Sequence, residues 1–107
     1  MDIIVADKGK GKTTEAIKLA NDNNAYLVVH NQKESMRIDD HYEMKFMPIT
    51  YDEFIRSSRR MHPSCKFVID NVEMFVQHLT HLPVIGITLT NKRKKQNETT
   101  YTYTLGV

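Results

Sequence analysis

The 107-residue sequence has no tryptophan, one cysteine, 4 glycines, 3 prolines and no long apolar run. A single cysteine excludes an internal disulfide framework and any cysteine-built zinc module. Cys65 alone fits a reducing compartment, so a cytoplasmic setting is expected. No stretch approaches the ~20 apolar residues of a membrane helix. The opening Met1-Asp2-Ile3 shows no basic segment followed by an apolar one, so no signal peptide is expected. Charge of one sign is not in excess either: 15 Lys and Arg face 13 Asp and Glu. The resulting net charge of +2 does not by itself imply a nucleic-acid partner. What is present is globular, with 40% hydrophobic and 26% charged residues, which argues against disorder, collagen and coiled coil. The length suits one domain over residues 1–107.

Strand-like and helix-like segments alternate along the chain. Ile3-Ile4-Val5-Ala6 is a short all-apolar run, the pattern of a strand covered on both faces. Asp7 to Lys12 reads as a loop. Ala16, Ile17 and Ala20 then fall at helical spacing from Thr13, and Asn21-Asp22-Asn23-Asn24 ends that helix. Tyr26-Leu27-Val28-Val29 predicts a second buried strand. The polar stretch from Asn31 to Glu43 reads as a loop with a helical turn. Lys45 to Ile49 predicts a short strand that Pro48 pushes toward a sheet edge. Thr50 and Glu53 have capping-box spacing and predict a helix to about Arg59, which His62-Pro63-Ser64 breaks. Phe67-Val68-Ile69-Asp70 predicts a further strand. Val72, Phe75, Val76 and Leu79 predict an amphipathic helix. Val84 to Thr90 and Thr100 to Leu105 predict two strands joined as a C-terminal hairpin. Strands separated by helical segments imply an α/β fold with a mostly parallel sheet and helices on both faces.

The loop carries the chemistry. Ala6 to Thr13 read A-D-K-G-K-G-K-T, close to the phosphate-loop pattern G-x-x-x-x-G-K-[ST] with alanine at the first place. Gly9 and Gly11 allow backbone angles that turn successive N–H groups inward. Lys12 supplies a charge for terminal phosphates, and Thr13 a hydroxyl for Mg²⁺. The helix opening at Thr13 directs free N–H groups and its positive end at the same anion. Lys8, Gly9, Lys10, Gly11, Lys12, Thr13 and Thr14 are thus the expected nucleotide-binding residues. The pattern is expected by chance in roughly one chain in a hundred of this length; its place between a buried strand and a helix is the stronger signal. Asp70, at the carboxyl end of its strand, lies where open parallel sheets hold ligands. Magnesium would be held by Thr13 and Asp70. The competing reading of Asp70 is a cap for the next helix.

These residues resemble the P-loop NTPase superfamily. The likeness spans nearly the whole chain in architecture, but as motifs only Ala6–Thr14 and Phe67–Asp70. The run from Pro48 to Phe54 followed by Phe67–Asp70 is most similar to the minimal core of helicase-type, packaging and recombinase-like ATPases. It is also similar to the ATP-binding half of thymidine kinases. The resemblance implies a three-layer P-loop fold, ATP with Mg²⁺, and ATP hydrolysis in nucleic-acid metabolism (replication, recombination or packaging). It also implies Lys12 and Asp70 as catalytic residues, and Thr90 or Asn91 as the polar sensor after the following strand.

The sequence departs from that pattern in two ways. Many members place a glutamate directly after the magnesium aspartate, and here Asn71 stands there. An amide cannot accept a proton as a carboxylate can. Glu73 is the catalytic candidate in its place. It flanks the apolar stripe of its helix, facing either the nucleotide or, more simply, solvent; Asp52 and Glu53 are the other carboxylates in view. The chain also has little length for a lid over the phosphates, and one cysteine cannot build the zinc lobe of thymidine kinases. Both count against a nucleoside-type kinase. A transition-state arginine (Arg37, Arg56, Arg59, Arg60 or Arg93) is not singled out. Such a bare core is easiest to understand in an oligomer or a complex with a larger protein. A non-catalytic module that regulates such a partner is the alternative reading. Lys92, Arg93, Lys94 and Lys95 form a basic hairpin tip that suits nucleic-acid phosphates or simply a solvated turn. His78 and His81 have a metal-compatible spacing but no third ligand.

Overall fold

The computed structural model describes residues 3–5, 11–90 and 100–103, with the side chains of 89, 90 and 100–103 left aside. The order of elements is α1 (Lys12–Asp22), β1 (Tyr26–Val29), α2 (Gln32–His41), β2 (Ile49–Thr50), α3 (Tyr51–Ser57) and a 3-10 turn (Ser58–Arg60). It continues with β3 (Phe67–Ile69), α4 (Val72–His78), β4 (Ile87–Thr90) and β5 (Thr100–Tyr103). The fold is α/β. Its main sheet is parallel, in the order β2-β1-β3. Val28 lies opposite Ile49 on one side and opposite Ile69 on the other. β4 and β5 pair antiparallel, Ile87 with Tyr103 through Thr90 with Thr100.

Strand pleating sorts the core. Successive side chains alternate between the faces of a sheet. Leu27 and Val29 therefore share a face, where they join Ala16, Ile17 and Ala20 of α1, Ala25, and Ile38 of α2, with Val68 packed beside them. Tyr26, Val28, Phe67 and Ile69 look the other way. That side is aromatic: Tyr26 stacks on Phe67 with ring centres 5.9 Å apart, and Phe54 of α3 meets both Phe67 and Phe75 of α4 edge-on. Helices thus cover both faces of the small sheet.

Chain turns are set by local chemistry. Asn24 takes a left-handed φ of 52°, and the Ala25 N–H returns to the Ala20 carbonyl at 2.8 Å, closing α1. The expected capping box opens α3: Thr50 accepts from the Glu53 N–H, and the Glu53 side chain accepts from the Thr50 N–H.

Several expectations are corrected. Residues 3–5 form no strand, and Val5 is 56% exposed. Apolar character alone does not make a strand, because backbone groups need a ladder partner, and β3 pairs only with β1 among the described residues. The segment read as a loop is the ten-residue helix α2. Asn31 caps it by accepting from the Glu34 N–H, and Ser35 and Ile38, three positions apart, form a buried stripe only two residues long. The strand expected from Lys45 shrinks to Ile49–Thr50, since Pro48 has no N–H to give a ladder. The α-helix of α3 ends at Ser57, short of the expected Arg59, and a 3-10 turn continues from Ser58 to Arg60.

Candidate functional site

The parallel strands end along one edge, and the candidate residues gather there. Asp70 follows β3, and its backbone N–H donates to the Val28 carbonyl at 3.0 Å, fixing it beside the end of β1. Gly11 precedes α1 with a φ of 82°, a left-handed conformation that glycine adopts without strain. Lys12 and Thr13 are the first helical residues after it.

Two contacts bridge α1 to the end of β3. The Thr13 hydroxyl donates to Asp70 Oδ2 at 3.0 Å, although 57 positions separate the two residues. Lys12 Nζ lies 3.3 Å from Glu73 Oε1, the side chains being 29% and 42% exposed. Glu73 therefore turns toward Lys12 while its side chain stays partly in solvent. Its direction follows from Asn71, which takes a left-handed φ of 55° and opens α4 without a side-chain cap. Asparagine is among the few side chains that tolerate this region. Asp70 is thus not the cap of α4.

Asp70 itself is only 5% exposed. Burial raises its pKa above the ordinary carboxylate value, opposed by the Thr13 hydroxyl, the Lys12 charge and the Asn71 N–H. Its second oxygen, Oδ1, is buried and has no hydrogen-bond partner of good geometry among the described residues. A buried carboxylate oxygen without a partner is costly, and a divalent cation would satisfy it. The donor set fits magnesium, a hard cation that takes a carboxylate and a hydroxyl and fills its octahedron with water and substrate phosphate. Among the described residues no group of three or more His, Cys, Asp or Glu could hold a metal on its own.

Tyr51 supports the edge and carried no signal in the sequence beyond following a capping threonine. It is 1% exposed, and its hydroxyl donates to the carbonyls of Asp70, at 2.7 Å, and Asn71, at 3.1 Å. Burial and the Asp70 and Glu73 charges raise its pKa, so it stays a neutral donor. Glu34, on the first turn of α2, is held by the Arg37 guanidinium, which pulls its pKa below the ordinary value. Arg37 is thereby engaged within its own helix.

The remaining candidates fall apart from this edge or outside the described residues. His78 Nε2 pairs with Asp52 Oδ1 at 2.8 Å, joining α4 to α3, and takes no part in a metal cluster among the described residues. Glu53 is occupied by its capping box. Thr14 is exposed on α1. Lys8, Gly9 and Lys10 of the loop lie outside the described residues, as do Asn91, Lys92, Arg93, Lys94 and Lys95. The side chain of Thr90 does too. No helix among the described residues is long and apolar enough to cross a membrane. No family model, no curated protein and no solved structure matches the chain.

Proposed function

We propose that the chain is a small Mg²⁺–ATP-binding P-loop NTPase with the three-layer P-loop fold and a C-terminal hairpin, hydrolysing ATP in nucleic-acid metabolism within an oligomer or a larger complex. The Thr13–Asp70 hydrogen bond carries this reading. It joins the residue that ends the phosphate-loop pattern to the acid that follows β3, and it leaves one buried acid oxygen without a hydrogen-bond partner among the described residues. Lys8 to Thr14 would surround the phosphates, with Lys12 neutralising the terminal ones. Thr13 and Asp70 would hold Mg²⁺, whose charge offsets that of the phosphates during transfer. Thr90 or Asn91 would sense the terminal phosphate, and Lys92 to Lys95 would meet nucleic-acid phosphates.

Titration with a fluorescent ATP analogue, with GTP as competitor, tests this reading. Binding should require Mg²⁺ and be lost in Lys12→Ala without a change in fold. Equal binding by Lys12→Ala would sink the phosphate-loop assignment.

A non-catalytic module that docks on a larger protein is the second reading. Asn71, which stands where a water-orienting carboxylate is common, favours it. Turnover by the purified chain that disappears in Asp70→Ala would exclude it. Transfer of labelled phosphate to a nucleoside would instead support a kinase.

A further inference from the structure

We propose that the amino edge of the main sheet, opposite the edge that carries Asp70, is a binding face for single-stranded nucleic acid. Phe46 stacks on a base there, and Lys45, Arg59, Arg60 and Lys66 meet the backbone phosphates. The face stands apart from the nucleotide site and from the contact proposed for Lys92 to Lys95.

Topology collects these residues. Helix α3 leaves the carboxyl end of β2, so the connector after it, residues 58–66, returns to the start of β3 at the amino edge. The Lys66 carbonyl accepts from the Tyr26 N–H at 2.9 Å, which sets Lys66 beside the first residue of β1. Residues 43–46 are fastened to the same place. The Asn21 side chain donates to the Glu43 carbonyl at 2.8 Å and accepts from the Lys45 N–H at 3.0 Å. Lys45 Nζ donates to Asn24 Oδ1 at 2.9 Å, and Phe46 stacks on Tyr26 with ring centres 4.6 Å apart. The connector is itself a closed turn: the Cys65 N–H donates to the His62 carbonyl at 2.9 Å, and the Ser64 N–H to His62 Nδ1 at 3.1 Å.

Charge at this edge is divided between the two faces of the sheet. Residues 54–69 hold Arg56, Arg59, Arg60 and Lys66 and no acid. Lys45, Arg59, Arg60 and Lys66 are exposed, and none of them pairs with a carboxylate among the described residues. The acids at this end, Asp22, Asp39, Asp40 and Glu43, belong to α1, α2 and the residues just after α2. Those two helices cover the Leu27 and Val29 face, whereas α3 covers the aromatic one. Phosphates are therefore drawn to the connector side, a contact that needs charge and not sequence. The ring supplies what charge alone does not. A single exposed apolar residue is ordinary, but Phe46 stays 37% exposed while Tyr26 backs its ring. Phe67 and Phe54 continue the row behind Tyr26, so the ring rests on a fixed aromatic support. A base reaches such a platform only when it is unpaired and unstacked, which favours single strands over duplex.

The test is fluorescence anisotropy of the full chain with labelled oligothymidylate, oligouridylate and a duplex, each about twelve nucleotides long, within the span of single-strand sites. Wild type should bind both single strands more tightly than the duplex, and lose at least ~10-fold in affinity between ~50 and ~200 mM salt. Arg59→Ala combined with Arg60→Ala should weaken binding and lower the log–log salt slope by about 1. Phe46→Ala should weaken binding at least ~5-fold with the slope unchanged, and Phe46→Tyr should restore it. Circular dichroism checks the fold of each variant, and the arginine pair, on an exposed turn, gives a readout that does not depend on the aromatic row. Unchanged strand binding in the arginine pair, tighter binding of the duplex, or equal displacement of the strand by polyglutamate would each overturn the proposal. Loss confined to a variant with Lys92, Arg93, Lys94 and Lys95 all replaced by Ala would overturn it in favour of the hairpin. A wild type that binds no strand would overturn it together with the nucleic-acid part of the proposed function, and leave the nucleotide site standing.

Discussion

Asp70 is the residue whose surroundings least suit its charge. It is buried, one of its oxygens has no hydrogen-bond partner among the described residues, and its pKa is raised chiefly by burial. The folded chain therefore holds its proton to a higher pH than the unfolded chain. Stability from this group is greatest below the ordinary carboxylate pKa and falls as pH rises through the raised value. Asp70→Asn should accordingly raise the melting temperature near neutral pH and flatten its decline from acid to neutral. Melting curves across that range test the point; a variant less stable than wild type at neutral pH would contradict it. On the proposed metal role, such a gain is the trade expected where a site keeps a destabilising group for function. Asn71 has a backbone reason to be there. At a φ of 55° asparagine is tolerated better than glutamate. Lys12, Thr13 and Asp70 stood out in the sequence because they match the residue types and spacing of the phosphate-loop pattern, and the structure brings Thr13 and Asp70 into contact. The direction of Glu73 was not, because it depends on a left-handed residue two positions earlier.

At the scale of elements, α1, β1, α3 and α4 were legible because each has a strong period or a cap: Ala16, Ile17 and Ala20 in α1, and Thr50 with Glu53 in α3. Helix α2 was hidden by its composition. Ser35 and Ile38 are its only buried residues, and a serine does not register in a hydrophobic period. Ser35 nonetheless holds the element in place. It is 0% exposed, and its hydroxyl donates to the Pro48 carbonyl, tying α2 to the residue before β2. Ser35→Ala should cost about 1–3 kcal/mol by leaving that carbonyl unpaired, seen as a lower denaturant midpoint with an unchanged slope. An unchanged midpoint would show that water replaces the bond. The run at residues 3–5 failed in the opposite sense: it has strand composition but no ladder partner among the described residues.

Across the whole molecule, a parallel sheet aligns the carboxyl ends of its strands, and this alignment brings together residues far apart in sequence. Pairing Val28 with both Ile49 and Ile69 brings the end of β3 beside that of β1, and α1 packs across both. Thr13 then meets Asp70 without any local contact between their segments. The sequence made this edge expected as soon as strands and helices alternated. The order β2-β1-β3 was not legible, since short apolar runs such as Tyr26–Val29 and Phe67–Ile69 carry no record of their neighbours. The most direct test of the account is the ATP affinity of wild type and Asp70→Asn, each with Mg²⁺ and with chelator. The account predicts that Mg²⁺ strengthens ATP binding to wild type at least ~10-fold, and that Asp70→Asn, which loses the carboxylate ligand, shows little or no such gain. Equal Mg²⁺ dependence in the two proteins, or none in wild type, would contradict it.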